Sequence, residues 1–220
     1  MDFSNSEESD AVTYKIILIG DSSVGKTCLF RKLTTGKYSE KNISTIGIDR
    51  KSFSLKVKVE ENNEEVEKNF TIQLWDTAGQ ERFRSVTKGY YKDSQGLLLI
   101  YDITNRDSFF NLDKWITGVK DSLGDEDKNS ENKYIIILLG NKLDLAENRT
   151  VTTEEAEKKC KDYDIIWGGE CSAKDFDIDD LKKKFELYTK LIYKKLGQNV
   201  TRSETVKNIE VGGKKEKCFC

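Results

Sequence analysis

One stretch constrains this chain more than any other: Gly20-Asp21-Ser22-Ser23-Val24-Gly25-Lys26-Thr27. It is preceded by the short apolar run Tyr14–Ile19 and followed by Cys28-Leu29-Phe30-Arg31-Lys32-Leu33. The run reads as a buried strand and the sequel as a helix. Two glycines with four residues between them, then lysine and threonine, placed between a strand and a helix, form the pattern of a phosphate cradle. The glycines let successive backbone N–H groups turn toward one anion, and the helix N-terminus adds partial positive charge. Lys26 is placed to reach β- and γ-phosphates, and Thr27 to offer its hydroxyl to Mg²⁺. The bland alternative is an ordinary glycine-containing strand–helix turn; the full pattern in its required context favours the cradle.

The surrounding pattern predicts an α/β fold. Phe53, Leu55, Val57 and Val59 alternate with polar residues, which marks a strand with one wet face. Phe70, Ile72 and Leu74 alternate again and lead into Trp75-Asp76. The polar, acidic segment 60–69 between them reads as a hairpin loop. Gly96–Tyr101 and Tyr134–Leu139 are continuous apolar runs, as expected of parallel strands covered on both faces. Phe109, Leu112, Trp115, Ile116 and Val119 share one face of a helix over 108–122, and 123–132 reads as a second polar loop. Thr152 and Glu155 form a capping-box signal for a helix to about Asp162. Ile165–Trp167 reads as a short strand, and Ile178, Leu181, Phe185, Tyr188 and Ile192 as one face of a last helix. Strands alternating with helices imply a mostly parallel sheet with helices on both faces, and ligands then bind beyond the carboxyl ends of the strands. Residues 1–12 read as a disordered leader, 13–196 as the folded domain and 197–220 as a flexible tail.

Absences exclude several chemistries. The chain has no histidine, so Ser–His–Asp and Cys–His nucleophile systems and imidazole zinc sites are ruled out. Lysine and arginine number 37 against 39 acidic residues, a net charge of −2, which gives no electrostatic case for nucleic-acid binding. The five cysteines form no Cys-x-x-Cys pair, and the odd count in a chain opening on acidic, polar residues points to a reducing compartment. The longest apolar runs, about six residues, are far short of the ~20 needed to span a bilayer. Four Asn-x-Ser/Thr matches are read as chance.

Asp76, at the end of the third strand, can hold magnesium through water, although a cap or surface aspartate is the plain alternative. Gly79 follows, where a bare backbone N–H can approach a γ-phosphate. Asn141-Lys142-Leu143-Asp144 follows the strand 134–139. A carboxylate can accept from guanine N1–H and the 2-amino group; facing adenine it would stay desolvated and unpaired, a cost of about 1–3 kcal/mol or more. Lys142 can lay its methylene stem on the purine, and Asn141 can tie its loop to the cradle. In Cys171-Ser172-Ala173-Lys174, the Ala173 N–H can reach guanine O6. Asn-Lys-x-Asp alone is weak, but it gains weight in register with the cradle and a later Ser-Ala-Lys.

With Gly20–Thr27, Asp76–Gln80, Asn141–Asp144 and Ser172–Lys174 in this order, the chain resembles the Ras-superfamily small GTPases over roughly residues 13–196. Within them it is similar to the Rab proteins, on Ser44–Asp49, Trp75–Phe83, the Tyr90-Tyr91 pair and Cys218-Phe219-Cys220. The resemblance implies a P-loop NTPase-type, mostly parallel six-stranded sheet. It implies GTP or GDP bound with Mg²⁺ by Gly20, Asp21, Ser22, Ser23, Val24, Gly25, Lys26, Thr27, Cys28, Tyr38, Thr45, Gly79, Asn141, Lys142, Asp144, Ser172, Ala173 and Lys174. The metal would be held by Thr27, Thr45 and Asp76, and Gln80 would orient the attacking water. Switch regions would fall at about 38–49 and 76–92, with Ile46, Trp75 and Phe83 on the face that effectors read. Arg50 departs from the pattern, standing where Rab proteins usually carry phenylalanine; Asn42 stands where an aromatic is common.

The function implied is a slow GTPase switch in vesicle and membrane traffic. Its partners would be an exchange factor, a GTPase-activating protein, effectors, and prenyl escort and dissociation-inhibitor proteins. Cys218 and Cys220 would carry two geranylgeranyl groups, since two lipid chains anchor stably where one does not. The domain would then sit on the cytoplasmic face of an intracellular or plasma membrane, with a cytosolic pool. Two other readings stay open: a scaffold that holds GTP without hydrolysing it, and another P-loop NTPase such as a nucleotide kinase.

Overall fold

The computed structural model describes residues 11–38, 47–77, 89–123 and 134–196. Six strands form one sheet: β1 (Val12–Ile19), β2 (Ile48–Glu61), β3 (Glu64–Thr77), β4 (Gly96–Asp102), β5 (Ile135–Asn141) and β6 (Ile166–Glu170). Their order is β2-β3-β1-β4-β5-β6. β2 pairs antiparallel with β3, and every other pairing is parallel. The helices described are α1 (Lys26–Thr35), α2 (Arg106–Phe110), α3 (Leu112–Leu123), α4 (Thr153–Tyr163) and α5 (Ile178–Leu196), with residues 89–91 also helical. This is the expected mostly parallel α/β sheet with helices on both faces.

Alternation along the central strands divides the core in two. Ile16 and Leu18 of β1 face one way, with Leu29 and Phe30 of α1 and Leu181, Phe185 and Ile192 of α5. Ile17 and Ile19 face the other, with Phe109 of α2, Leu112, Trp115, Ile116 and Val119 of α3, and Ala156 and Cys160 of α4. β4 and β5 are buried along their whole length, which is why both read as unbroken apolar runs. Burial pushes the Cys160 thiol up to about 12, as suits an inert core residue.

Local signals explain the boundaries. Thr152 accepts from Glu155 N while the Glu155 carboxylate accepts from Thr152 N, closing the expected capping box of α4. α1 ends on Gly36 at φ 71°, where a residue without Cβ adopts the left-handed cap freely.

Two expectations need correction. Segment 60–69 is not a loop: β2 and β3 pair from Ile48↔Thr77 to Glu61↔Glu64. Only Asn62 and Asn63 turn, at φ 52° and 66°, the left-handed pair that asparagine tolerates in a tight hairpin. Polar strand ends disguised the pairing, which the ion pairs Lys58–Glu65 at 3.3 Å and Lys68–Glu61 at 2.6 Å accompany. The single helix expected over 108–122 is two helices, because Asn111 closes α2 before α3 begins. The expected polar loop beyond Leu123, residues 1–10 of the expected leader and the tail lie outside the described residues; Val12, counted with the leader, instead opens β1 opposite Phe70.

Candidate functional site

The loops that follow β1, β5 and β6 converge, with the end of β3, at the carboxyl edge of the sheet. After β1 the backbone turns through Gly20 at φ 138°, Ser23 at φ 65° and Gly25 at φ 98° before α1 begins at Lys26. A Cβ on Gly20 would stand 2.2 Å from the Ile100 carbonyl oxygen, and one on Gly25 2.2 Å from Asn141 Nδ2. Both positions therefore need glycine for close approach as well as for φ. Ser22 and Ser23 are exposed, whereas Val24 is buried against α1 and its neighbours.

Lys26 is 4% exposed. Its Nζ donates to the carbonyl oxygens of Gly20 at 2.9 Å and Asp21 at 2.6 Å. Burial lowers its pKa to about 8, opposed by the negative charges of Asp76 and Asp21. An ammonium held back by carbonyls in a place that disfavours its charge is well placed to gain from an added anion.

Thr27, one residue on, donates from Oγ1 to Asp76 Oδ2 at 2.6 Å. The other oxygen, Asp76 Oδ1, is buried with no hydrogen-bond partner. Burial pushes the Asp76 carboxyl up; the Thr27 hydrogen bond and the Lys26 charge pull it back. A buried carboxylate oxygen left unpaired beside a hydroxyl fits a hard cation or its water. Among the described residues no cluster of three or more Cys, Asp or Glu side chains forms a cage. Cys28 follows on α1, half-buried, its thiol pushed up mainly by burial.

Asn141, at the end of β5, binds three loops together. Its Nδ2 donates to the Val24 carbonyl at 2.8 Å, and its Oδ1 accepts from Ala173 N at 3.1 Å and from the Cys171 thiol at 3.6 Å. The Ala173 N–H expected to face guanine O6 thus takes part in this tie. Burial pushes the Cys171 thiol to about 12. Asp144 Oδ1 accepts from Ser172 Oγ at 2.6 Å, and Ser172 Oγ in turn accepts from the backbone N–H groups of Lys174 at 3.2 Å and Asp175 at 2.8 Å. The Asn-Lys-Leu-Asp and Ser-Ala-Lys segments, far apart in sequence, therefore form one wall. Lys174 itself is exposed, and Tyr38 lies half-buried beyond the end of α1.

Three neighbours were missed as site residues. Asp102, closing β4, pairs with Lys142 Nζ at 2.6 Å and accepts from Thr104 N and Oγ1 at 2.9 and 2.7 Å. Lys142 adopts φ 69°, and Asp102 holds its side chain in that strained turn. Asn111 and Trp115, read only as a helix face or not at all, donate to the Asp21 carboxylate. The available signal was position: Asp102 ends a parallel strand at the edge where ligands bind. Arg50 lies opposite Trp75 across the β2–β3 pair, with its guanidinium 5.7 Å from the ring centroid; Lys15 Nζ lies 4.6 Å from the same centroid. Thr45, Gly79, Gln80, Ile46, Phe83, Asn42, Cys218 and Cys220 lie outside the described residues.

The sheet, its cradle and the loops that wall it define a P-loop-type α/β domain. The model of the Ras family matches residues 15–194. The Ras-related protein Rab-26 of Bos taurus is 44% identical over 155 residues, 70% of this chain and 55% of its own length. The Ras-related protein Rab-30 of Homo sapiens is 43% identical, covering 78% of this chain and 76% of its own length. The Ras-related protein Rab-10 of Caenorhabditis elegans is 39% identical, covering 73% and 72%. The chain spans about half the length of the Rab-26 relatives. It belongs to the Ras family, within its Rab group.

Proposed function

We propose that this protein is a Rab-type switch that binds GTP and GDP with Mg²⁺, hydrolyses GTP, and regulates membrane traffic through effectors bound in the triphosphate state. The observation that supports it best is the Asn141 side chain. It links the Val24 carbonyl of the cradle to the Ala173 loop at 2.8 and 3.1 Å, so a phosphate site and a base site are held at fixed separation. A ligand with a purine at one end and phosphates at the other would bridge the two.

The residues divide the work. The Asp144 carboxylate, fixed by Ser172, reads the N1–H and 2-amino donors of guanine. Lys142 lies along the base with its ammonium held by Asp102. Backbone N–H groups of 21–26 and the Lys26 ammonium bind the phosphates and offset charge as the β–γ bond breaks. Thr27 and Asp76, with Thr45, would hold Mg²⁺, which would supply positive charge to offset that of the phosphates. Gln80 positions the attacking water. Such catalysis is positioning and electrostatics, so turnover is slow and rises when an activating protein binds. Loss of the γ-phosphate frees Thr45 and Gly79, and the two segments around them change state.

Partners follow from that cycle: an exchange factor, an activating protein and state-specific effectors. Among the described residues no helix is long and apolar enough to cross a membrane. Geranylgeranyl groups on Cys218 and Cys220 attach the domain to a cytoplasmic membrane face, with escort and dissociation-inhibitor proteins carrying the chains through the cytosol. The residues before β1 act as a leader and 197–220 as a tether to the folded domain, which opens at Val12.

Single-turnover phosphate release tests the reading. Wild type loaded with GTP releases phosphate slowly, and Gln80→Leu releases it more slowly still. Equal rates in the two would remove Gln80 from the mechanism, and preference for ATP would remove the guanine reading.

A further inference from the structure

A carboxylate is an odd neighbour for a polyphosphate. Asp21 follows the first glycine of the cradle, where an unscreened negative charge repels the ligand the loop exists to bind. The structure shows how that charge is occupied. Asp21 Oδ2 accepts from Asn111 Nδ2 at 2.7 Å, and Oδ1 accepts from Trp115 Nε1 at 2.8 Å. The backbone oxygen of the same residue accepts from Lys26 Nζ at 2.6 Å. One residue thus grips α3 with its side chain and the cradle ammonium with its main chain.

The two donors are themselves fixed. Trp115 is 3% exposed and packed among the residues beneath α3, so its indole N–H cannot follow the loop. Asn111 closes α2, and its Oδ1 accepts from Lys114 Nζ at 3.1 Å, which turns the amide so that Nδ2 faces Asp21. The grip also spans a defined place in the fold. β1 and β4 are neighbours in the sheet, yet the helix after β1 packs on one face and those after β4 on the other. The crevice between such strands is where ligands of open α/β sheets bind. Asp21 stands on one lip, and Asn111 and Trp115 on the other.

We infer that Asn111 and Trp115 are positioning residues for the phosphate cradle, acting through the Asp21 carboxylate. They hold its charge by hydrogen bonds on the α3 side and fix the peptide whose carbonyl aims Lys26. This rests on the guanine-nucleotide reading above. Remove the indole N–H and the carboxylate keeps its charge but loses a partner; the bound polyphosphate meets more repulsion and a less well-aimed Lys26. Remove the carboxylate as well and the repulsion is gone. The pair is therefore non-additive, in a direction that a packing role does not produce.

The test uses the full chain loaded with fluorescent GDP, chased with excess GDP, in wild type, Trp115→Phe, Asn111→Ala, Asp21→Ala and the double variants with Asp21→Ala. Trp115→Phe keeps most of the ring's bulk and should speed release roughly tenfold, the scale of one lost hydrogen bond to a charge. Asn111→Ala should act in the same direction. Each double variant should release GDP at about the rate of Asp21→Ala alone, because without the carboxylate the two donors have nothing left to hold. The indole N–H proton resonance of Trp115, identified by its loss in Trp115→Phe, should move upfield in Asp21→Ala. Unchanged release in both single variants, additive effects in the doubles, or an indole resonance indifferent to Asp21→Ala would overturn the inference. Should Trp115→Phe not fold, the Asn111→Ala cycle and the Asp21→Ala resonance decide. A wild type that takes up no guanine nucleotide would instead contradict the earlier reading, while the resonance still reports on the grip.

Discussion

Thr27 Oγ1 lies 2.6 Å from Asp76 Oδ2, which joins the first turn of α1 to the end of β3 beside a buried carboxylate oxygen with no partner. The orphaned oxygen is costly in isolation and sensible as half of a cation site. Thr27→Asn places a bulkier amide in that space and removes the hydroxyl. It should weaken Mg²⁺-dependent retention of GTP more than of GDP, as read by nucleotide release during magnesium titration. Equal loss for both nucleotides would place the threonine outside the metal site.

Base recognition rests on Asp144, whose Oδ1 accepts from Ser172 Oγ at 2.6 Å. Asp144→Asn exchanges an acceptor for a donor. GTP affinity should fall roughly 10- to 100-fold, the scale of a hydrogen bond to a charged group. Xanthosine triphosphate, which carries a carbonyl in place of the 2-amino group, should gain relative to GTP. Competition against labelled GDP measures both.

Asp102 gives a separate prediction. It holds Lys142 at 2.6 Å, with 7% of its side chain exposed. Asp102→Asn keeps the shape and removes the charge, so Lys142 should lose its fixed pose and GDP should leave faster. A stopped-flow chase reads the rate, and an unchanged rate would show that Lys142 needs no such support.

Gly20→Ala tests the close approach under the cradle. The new Cβ would meet the Ile100 oxygen at 2.2 Å, at φ 138°. Backbone strain and overpacking should together destabilise the domain by about 2–5 kcal/mol, measurable by denaturant unfolding of the GDP-loaded protein. Unchanged stability would mean that β1 and β4 are further apart than described.

Acid stability has a local contributor. Arg106 and the Thr152 N–H hold the Glu155 carboxyl down, from 4.5 to about 2. A carboxyl with a lowered folded pKa stabilises the fold above its unfolded value, and that share is lost as pH falls from about 4.5 through 2. The pair is partly exposed, 44% and 36% at the two side chains, so solvent screens it and its contribution is small. Glu155→Gln should destabilise the protein at pH 7 and make little difference near pH 2.

Reading the sequence reached the cradle, the capping box of α4 and both buried faces, because each depends on residue type at short fixed spacing. The hairpin within 60–69 was legible but its loop was drawn too long, because strand ends that project beyond the core carry charged residues and lose the apolar alternation. The break at Asn111 was hidden by an apolar face that continues across both helices. Asp102, Asn111 and Trp115 escaped as site residues because their role depends on partners far along the chain: Trp115 meets Asp21 only when β1 and β4 lie side by side. Trp115 also fits a helix face so well that its indole N–H drew no notice.

The central claim is that one guanine nucleotide spans the sites joined by Asn141. Purified protein, denatured and analysed by chromatography of the released small molecules, tests it most directly. The account predicts close to one GDP or GTP per chain, lost on Asn141→Ala. Protein that carries no nucleotide and takes up none from a GTP solution, or that carries adenine nucleotide instead, would contradict it.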